Sequence, residues 1–218
     1  MYLTVSFRFL AFMLLILATA CKEVPKDHRL PYYNTPDFTP LFLDHQEEAE
    51  LLVPHQIGHF TMMDQHGDTI TDTILHGKIH VANFIFTSCM SICPVMTDHM
   101  KSVSQAFGDR EEVAILSFSV TPWIDTVGRL KAYAVKNNIQ SKNWHLLTGD
   151  KSEIYTLARQ SYFAEEDLGF TRDSTDFLHT EHVLLVDGHQ RIRGIYNGTL
   201  EVEIDQMIAD IRVLLEEQ

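Results

Sequence analysis

Cysteine is scarce in this 218-residue sequence: Cys21, Cys89 and Cys93 are the only three. A chain of this length does not need disulfide staples, because a body of about 170 residues buries a sizeable core by itself. Three is also odd, so one cysteine differs in role from a pair. Basic residues are few as well, 17 Lys and Arg against 30 Asp and Glu, for a net charge of −13. Such a surface repels phosphate backbones and excludes nucleic acid as an expected partner. The acids are spread along the chain in small groups such as Glu47-Glu48 and Glu165-Glu166-Asp167, which reads as solubility. Internal repeats and low-complexity segments are absent. Histidine, by contrast, is abundant at twelve, far more than one site needs.

The N-terminal apolar run is short for a comfortable bilayer span. Residues 1–20 place Arg8 before the apolar core Phe9–Leu17 and the small residues Ala18-Thr19-Ala20, the shape of a signal peptide. The small residues end on Cys21, an arrangement that resembles a bacterial lipoprotein signal. That resemblance implies lipidation of Cys21 and a product exported to the periplasm and held on a membrane. Leu17 stands one residue further from the cysteine than the usual lipobox leucine. An uncleaved anchor helix is the alternative. Residues 21–45 contain Pro25, Pro31, Pro36 and Pro40 and read as an extended tether. Residues 46–218 then form the domain.

Within that domain, continuous apolar runs at Ile79–Phe86 and Val113–Val120 predict buried strands. Residues 94–107 have helical spacing and open with Pro94, suited to a first turn. A helix is expected over about 126–136 with Asp125 as its N-cap, and a shorter one over about 152–161. His182–Val186 and Arg191–Tyr196 flank Asp187-Gly188, a hairpin signal. Residues 201–215 carry the stripe Val202, Ile204, Met207, Ile208, Ile211 and Leu215. Strand–helix–strand–helix, hairpin, then helix describes an α/β thioredoxin-like sandwich: a central mixed sheet flanked by helices.

The chemistry concentrates in Phe86-Thr87-Ser88-Cys89-Met90-Ser91-Ile92-Cys93-Pro94. The cysteine pair follows a buried strand and precedes a helix. Helix N-termini present unpaired N–H groups and the positive end of a dipole, and both favour thiolate. Thioredoxin-type redox catalysts space their cysteines by two residues, whereas three intervene here. The wider loop can close a disulfide but also relaxes the bite between the sulfurs, which suits a shared metal. Two thiolates favour Cu(I), and an added imidazole also admits Cu(II). A buried or permanently disulfide-bonded pair remains the plainer alternative.

The phrase FIFTSCMSICPVMT resembles the signature of the Sco/SenC family. Leu75–Lys78, SFSVTPWIDT at 117–126, NWHLLTG at 143–149, FLHT at 177–180 and Asn197-Gly198-Thr199 resemble further family segments in the same order. The likeness covers about residues 50–215. It implies a copper chaperone that helps assemble the CuA centre of cytochrome c oxidase, with one copper held by Cys89, Cys93 and His179. His182, three residues on, is the rival ligand, and an odd separation along a strand points the two to opposite faces. Met96 and Met100 share a helical face with Cys93 and read as packing, with Met90 as a flanking contact. Where the family usually has Asp-Pro, this chain has Thr121-Pro122, and Asp125 matches the later acid of that loop.

The same residues allow a membrane-tethered thiol–disulfide oxidoreductase, with the more exposed Cys89 attacking a partner disulfide and Cys93 resolving it. Residues 165–190 lack proline, so the cis-proline that usually faces thioredoxin-type cysteines is missing from that stretch. A peroxidase of the same fold ranks last, since the surroundings of Thr87-Ser88-Cys89 offer no arginine in sequence.

Overall fold

The computed structural model describes residues 29–108, 110–164 and 180–218. Nine strands alternate with helices over these residues. They are β1 (Tyr32–Tyr33), β2 (Pro40–Leu41), α1 (Ala49–Leu52), β3 (Thr61–Met63), β4 (Thr69–Thr71), β5 (Ile79–Ile85), α2 (Ile92–Phe107), β6 (Val113–Ser119), α3 (Val127–Lys136), β7 (Trp144–Leu147), α4 (Lys151–Thr156), β8 (His182–Val186), β9 (Ile192–Asn197) and α5 (Glu201–Glu217).

The two runs without a polar face, β5 and β6, are buried at every position, because helices or loops cover both sides of them. They pair in parallel, with Ile79 opposite Val113 and Ile85 opposite Ser119. β7 extends this parallel set, while β8 pairs antiparallel with the other edge of β5 and carries β9. The sheet order is β2-β1-β9-β8-β5-β6-β7, a mixed sheet as expected for the thioredoxin-like fold. One face packs Ile79, Val81, Ile85 and Val183 against α2, α3 and α5. The other packs Ala82, Phe84, Leu116 and Leu184 against α4 and the β3–β4 ribbon.

Several boundaries differ from the sequence reading. Residues 29–45, expected to be tether, add β1 and β2 to the sheet: Tyr32 pairs with Leu41 and Tyr33 with Ile192. Prolines mark extended chain, but whether extended chain finds a sheet edge is settled by β9 alongside it. Arg193 then fixes the segment, donating to the carbonyls of Leu30 and Pro31 while its guanidinium lies 4.0 Å from the Tyr32 ring centroid. The N-cap of α3 is Thr126, whose hydroxyl accepts from the Arg129 N–H at 3.4 Å. Asp125, expected to be that cap, is fully buried and used elsewhere. Val202, placed in the apolar stripe of α5, is 73% exposed, and Leu214 is buried on that face instead. β3, β4 and β7 were not foreseen. α4 continues as a wider π turn over Leu157–Ser161.

On β5, His80 is fully buried, its Nε2 3.0 Å from the Tyr162 hydroxyl and its Nδ1 without a hydrogen-bond partner. Burial pushes its pKa down to about 3 from 6.5. The unfolded chain therefore binds a proton here near pH 6.5 that the native fold refuses. The stabilising contribution is full above pH 6.5 and is lost as pH falls towards 3. Between pH 7 and pH 5 this group alone removes about 2 kcal/mol. The urea midpoint should drop over that interval, and His80→Leu should flatten the dependence.

Candidate functional site

Where β5 ends, Phe86 to Ser91 form a loop that leads directly into α2. The Cys89 N–H donates to the Phe86 carbonyl at 3.1 Å, closing a tight turn that lifts the first cysteine above the helix. Ser91 occupies the N-cap position of α2, but its side chain makes no cap bond. The backbone N–H groups of Cys93, Ser91 and Ile92 act instead on the sulfur of Cys89 and favour its thiolate. The helix begins two residues before Pro94, which sits in the first turn, where a missing N–H leaves nothing unpaired.

The two cysteines are both free thiols in unlike surroundings: Cys89 is partly exposed, Cys93 buried. For Cys89, burial acts to raise the pKa, but the three N–H groups together with the Cys93 thiol outweigh it, so the net shift is downward from 9.0. For Cys93, burial dominates and pushes the thiol up to about 12, and the proton it shares with Cys89 acts in the same direction. Cys89 is therefore the more readily ionised of the two sulfurs and the better nucleophile. At pH 8, iodoacetamide should modify Cys89 alone, and peptide mass mapping should find Cys93 unmodified until the chain is unfolded.

Behind the loop lies a polar clamp. Asp125, between β6 and α3, accepts from the Thr87 N–H at 3.1 Å and from the hydroxyls of Thr87, Ser119 (2.8 Å) and Thr121 (3.0 Å). Arg129, on the first turn of α3, donates through Nε to Thr87 Oγ1 at 2.6 Å and through Nη2 to Ser88 Oγ at 2.8 Å. Its guanidinium stands 3.4 Å from Asp125. An arginine thus does stand beside Thr87-Ser88-Cys89. It was invisible in the local sequence because α3 supplies it from 42 positions away. Thr121, where the family usually has aspartate, is buried and spends its hydroxyl on Asp125, consistent with a structural loop.

Strand parity sets the face that the rival histidine takes. His182 shares a sheet face with Leu184, the face that α2 does not cover. Its ring packs edge-on against Phe38 at 5.9 Å, away from the cysteine helix. His179 lies outside the described residues, as does Cys21. Thr180, its covalent neighbour, precedes β8, which enters beside the end of β5 from which the cysteine loop leaves. Gly198 guards this entry: its N–H donates to the Glu181 carbonyl at 2.7 Å, and an added Cβ would lie 2.7 Å from Val183 and 2.9 Å from Met96. Met96 and Met100 are fully buried core residues, whereas Met90 is 96% exposed at the loop tip. Among the described residues, no three His, Cys, Asp or Glu side chains converge as a metal site. Nor is any described helix long and apolar enough to cross a membrane.

The SCO1/SenC family model matches residues 48–216. A SCO1/SenC family lipoprotein from Bacillus anthracis is 27% identical, with a TM-score of 0.65 over 74% of this chain and 95% of its own. BsSco, a member of the Sco family of cytochrome c oxidase assembly proteins in which a disulfide switch was identified, is 31% identical. Its TM-score is 0.63 over 73% of this chain and 93% of its own. ScoI of Bradyrhizobium japonicum, solved with copper bound, is 28% identical, with a TM-score of 0.57 over 72% of this chain and 98% of its own. With its thiol pair at the strand–helix junction, its mixed thioredoxin-like sheet and a family match spanning most of its length, the chain belongs to the SCO1/SenC family.

Proposed function

We propose that this chain is a copper carrier, holding one Cu(I) or Cu(II) through Cys89, Cys93 and His179 and passing it to the CuA site of cytochrome c oxidase. The observation that supports this most is the pairing of one accessible and one buried sulfur at the start of α2, beside the point where residue 180 returns to the sheet. Two thiolates and an imidazole form a soft, incomplete coordination sphere that favours Cu(I) and admits Cu(II). The exposed edge at Cys89 leaves room for an incoming ligand, so copper as cargo can be exchanged stepwise. Copper-bound ScoI from Bradyrhizobium japonicum and the oxidase-assembly role of BsSco support the same reading. The signal-like residues 1–20 and Cys21, together with the lipoprotein relative from Bacillus anthracis, support tethering to a membrane on its periplasmic side through lipid on Cys21.

The test is transfer. The Cu(I)-loaded chain is mixed with a copper-free, reduced CuA domain of cytochrome c oxidase, the two proteins are separated, and the copper in the CuA domain is measured by metal analysis and, after one-electron oxidation with ferricyanide, by the absorption of the mixed-valence binuclear centre. Absence of copper in the CuA domain after equilibration would refute delivery.

The asymmetry of the two thiols also favours a second reading, reduction of a partner disulfide. The Cys89 thiolate attacks one sulfur of the partner, forming a mixed disulfide and releasing a partner thiolate. Cys93, on losing its proton, then attacks Cys89 Sγ and releases the second thiolate. The chain ends as the Cys89–Cys93 disulfide, oxidised by two electrons, and the partner as a dithiol reduced by two. Reduction of an oxidised CuA domain by copper-free protein, at a rate above that of free cysteine, is the outcome that selects it.

A further inference from the structure

Among the described residues, four other than glycine take a left-handed backbone: Phe38 (φ 52°), Asn138 (φ 55°), Phe163 (φ 51°) and Gln190 (φ 64°). Asparagine tolerates that conformation, but for a bulky aromatic residue it is a costly outlier. Two of the four are phenylalanines, and their rings meet edge-on with centroids 6.2 Å apart.

The turn that joins β1 to β2 holds Phe38 in this state. The hydroxyls of Thr35 and Thr39 both donate to the Asp37 carboxylate, and the Phe38 N–H donates to the Thr35 carbonyl at 3.0 Å. The turn delivers the Phe38 ring into a group of aromatic partners. Tyr33 lies 6.3 Å away and His182 5.9 Å away, both nearly perpendicular to it. Phe163, only 6% exposed, is stacked in addition on His55 at 4.2 Å, and His55 Nε2 lies 2.8 Å from the Ser161 carbonyl.

The places of these partners along the chain give the cluster its meaning. Phe163 stands two residues ahead of the stretch 165–179, and His182 three residues behind it. β8 fixes the His182 end, where His182 pairs with Asn197. Phe38 spans from that end to Phe163 and so sets how far apart the two ends lie. The separation of its ends limits where any residue of a connecting stretch can go. Residue 179 is the most constrained, since three residues of chain reach at most about 11 Å from His182. Closing a core needs apolar rings but not two strained ones. Backbone strain persists where the surrounding structure over-determines it, and such places cluster at ligand clamps.

We propose that Phe38 is a positioning residue for the copper ligand His179: its ring, bridging Phe163 and His182, holds together the ends of the stretch that carries the imidazole. The N-terminal hairpin thereby sets copper affinity without touching the metal. Removing His182 leaves Phe38 held by Phe163 and Tyr33, whereas removing the Phe38 ring breaks the bridge. The inference rests on the carrier reading above, in which His179 is the third ligand.

The experiment is a double-mutant cycle on the full chain in mild detergent, with Cu(II) alone as probe and chelator competition as readout. Phe38→Gly keeps the left-handed turn without strain and takes away only the ring. It should weaken Cu(II) binding by about 10-fold or more, as loss of groups that orient a metal ligand does, and Cu(I) binding clearly less. Phe38→Tyr, which retains the ring, should bind as the parent does. In the His179→Ala background, Phe38→Gly should cost nothing further. Iodoacetamide selectivity between Cys89 and Cys93 should be the same in Phe38→Gly and the parent, since the hairpin pairs with β9 and the cysteine loop leaves β5. Undiminished Cu(II) affinity in Phe38→Gly, an equal loss with and without His179, or weakened binding in Phe38→Tyr would each overturn the positioning role. His179→Ala by itself, titrated alongside, tells that failure from a failure of the carrier reading: if it binds Cu(II) as the parent does, the three-ligand site falls and this inference with it.

Discussion

His179→Ala is expected to lower copper affinity by more than about 100-fold, with Cu(II) affected more than Cu(I), while the Cys89–Cys93 disulfide still forms and is reduced as in the parent. Loss of a supporting group around a metal ligand already costs about 10–100-fold, so loss of the ligand itself should exceed that range. The two thiolates that remain still suit Cu(I), whereas Cu(II) loses the imidazole that makes a thiolate site hospitable to it. Cys89→Ala and Cys93→Ala should abolish binding of both ions. Competition titrations with a chelator of known affinity measure all three. His182→Ala is the internal control, because that ring lies on the other face of the sheet against Phe38. Equal copper affinity in His179→Ala and the parent would end the three-ligand reading, and loss of binding in His182→Ala alone would transfer the role.

Asp125→Ala should be the most destabilising single change near the site, by about 3–5 kcal/mol, with a matching fall in the urea midpoint. The carboxylate is completely buried and satisfies one backbone N–H and three hydroxyls. Its removal strands those donors and leaves the Arg129 guanidinium without its carboxylate 3.4 Å away. Asp125→Asn keeps one acceptor oxygen and the volume, so it should cost clearly less. The loss should also reach the site: with Thr87 released, the cysteine loop loses its anchor to α3. The iodoacetamide selectivity between Cys89 and Cys93 should fall in Asp125→Asn even under conditions where the protein remains folded. A destabilisation below about 1 kcal/mol for Asp125→Ala would show that the clamp is solvated and idle.

These two expectations draw on different kinds of legibility. β5 and β6 were readable because an uninterrupted apolar run of strand length has few other fates, and the cysteine loop followed from its place between β5 and a helical pattern. The hairpin of β8 and β9 was equally plain from Asp187-Gly188 between apolar runs. The edge strands were not, because Tyr32–Tyr33 and Pro40–Leu41 are two residues each and have no periodicity to read. They exist because β9 offers an unpaired edge and Arg193 offers bonds to Leu30 and Pro31. Asp125 looked like a helix cap since an acid one residue before a helical pattern usually is one. Its true partners are a threonine 38 positions earlier and two neighbours buried with it.

The amino-acid sequence by itself determined the fold class, the place of the cysteine pair between a buried strand and a helix, and the family, because each is written in local pattern: apolar run length, spacing and contiguous motif. The tertiary structure decided that Cys89 is the more readily ionised of the pair while burial pushes the Cys93 thiol up, that His182 packs against Phe38 on the other face of the sheet, and that Arg129 reaches Thr87 and Ser88 of the cysteine loop. Those outcomes depend on burial, on which face a side chain takes and on contacts between segments about 30 to 40 residues apart. Such distances in space arise only when the parallel strands bring their C-terminal loops to one edge.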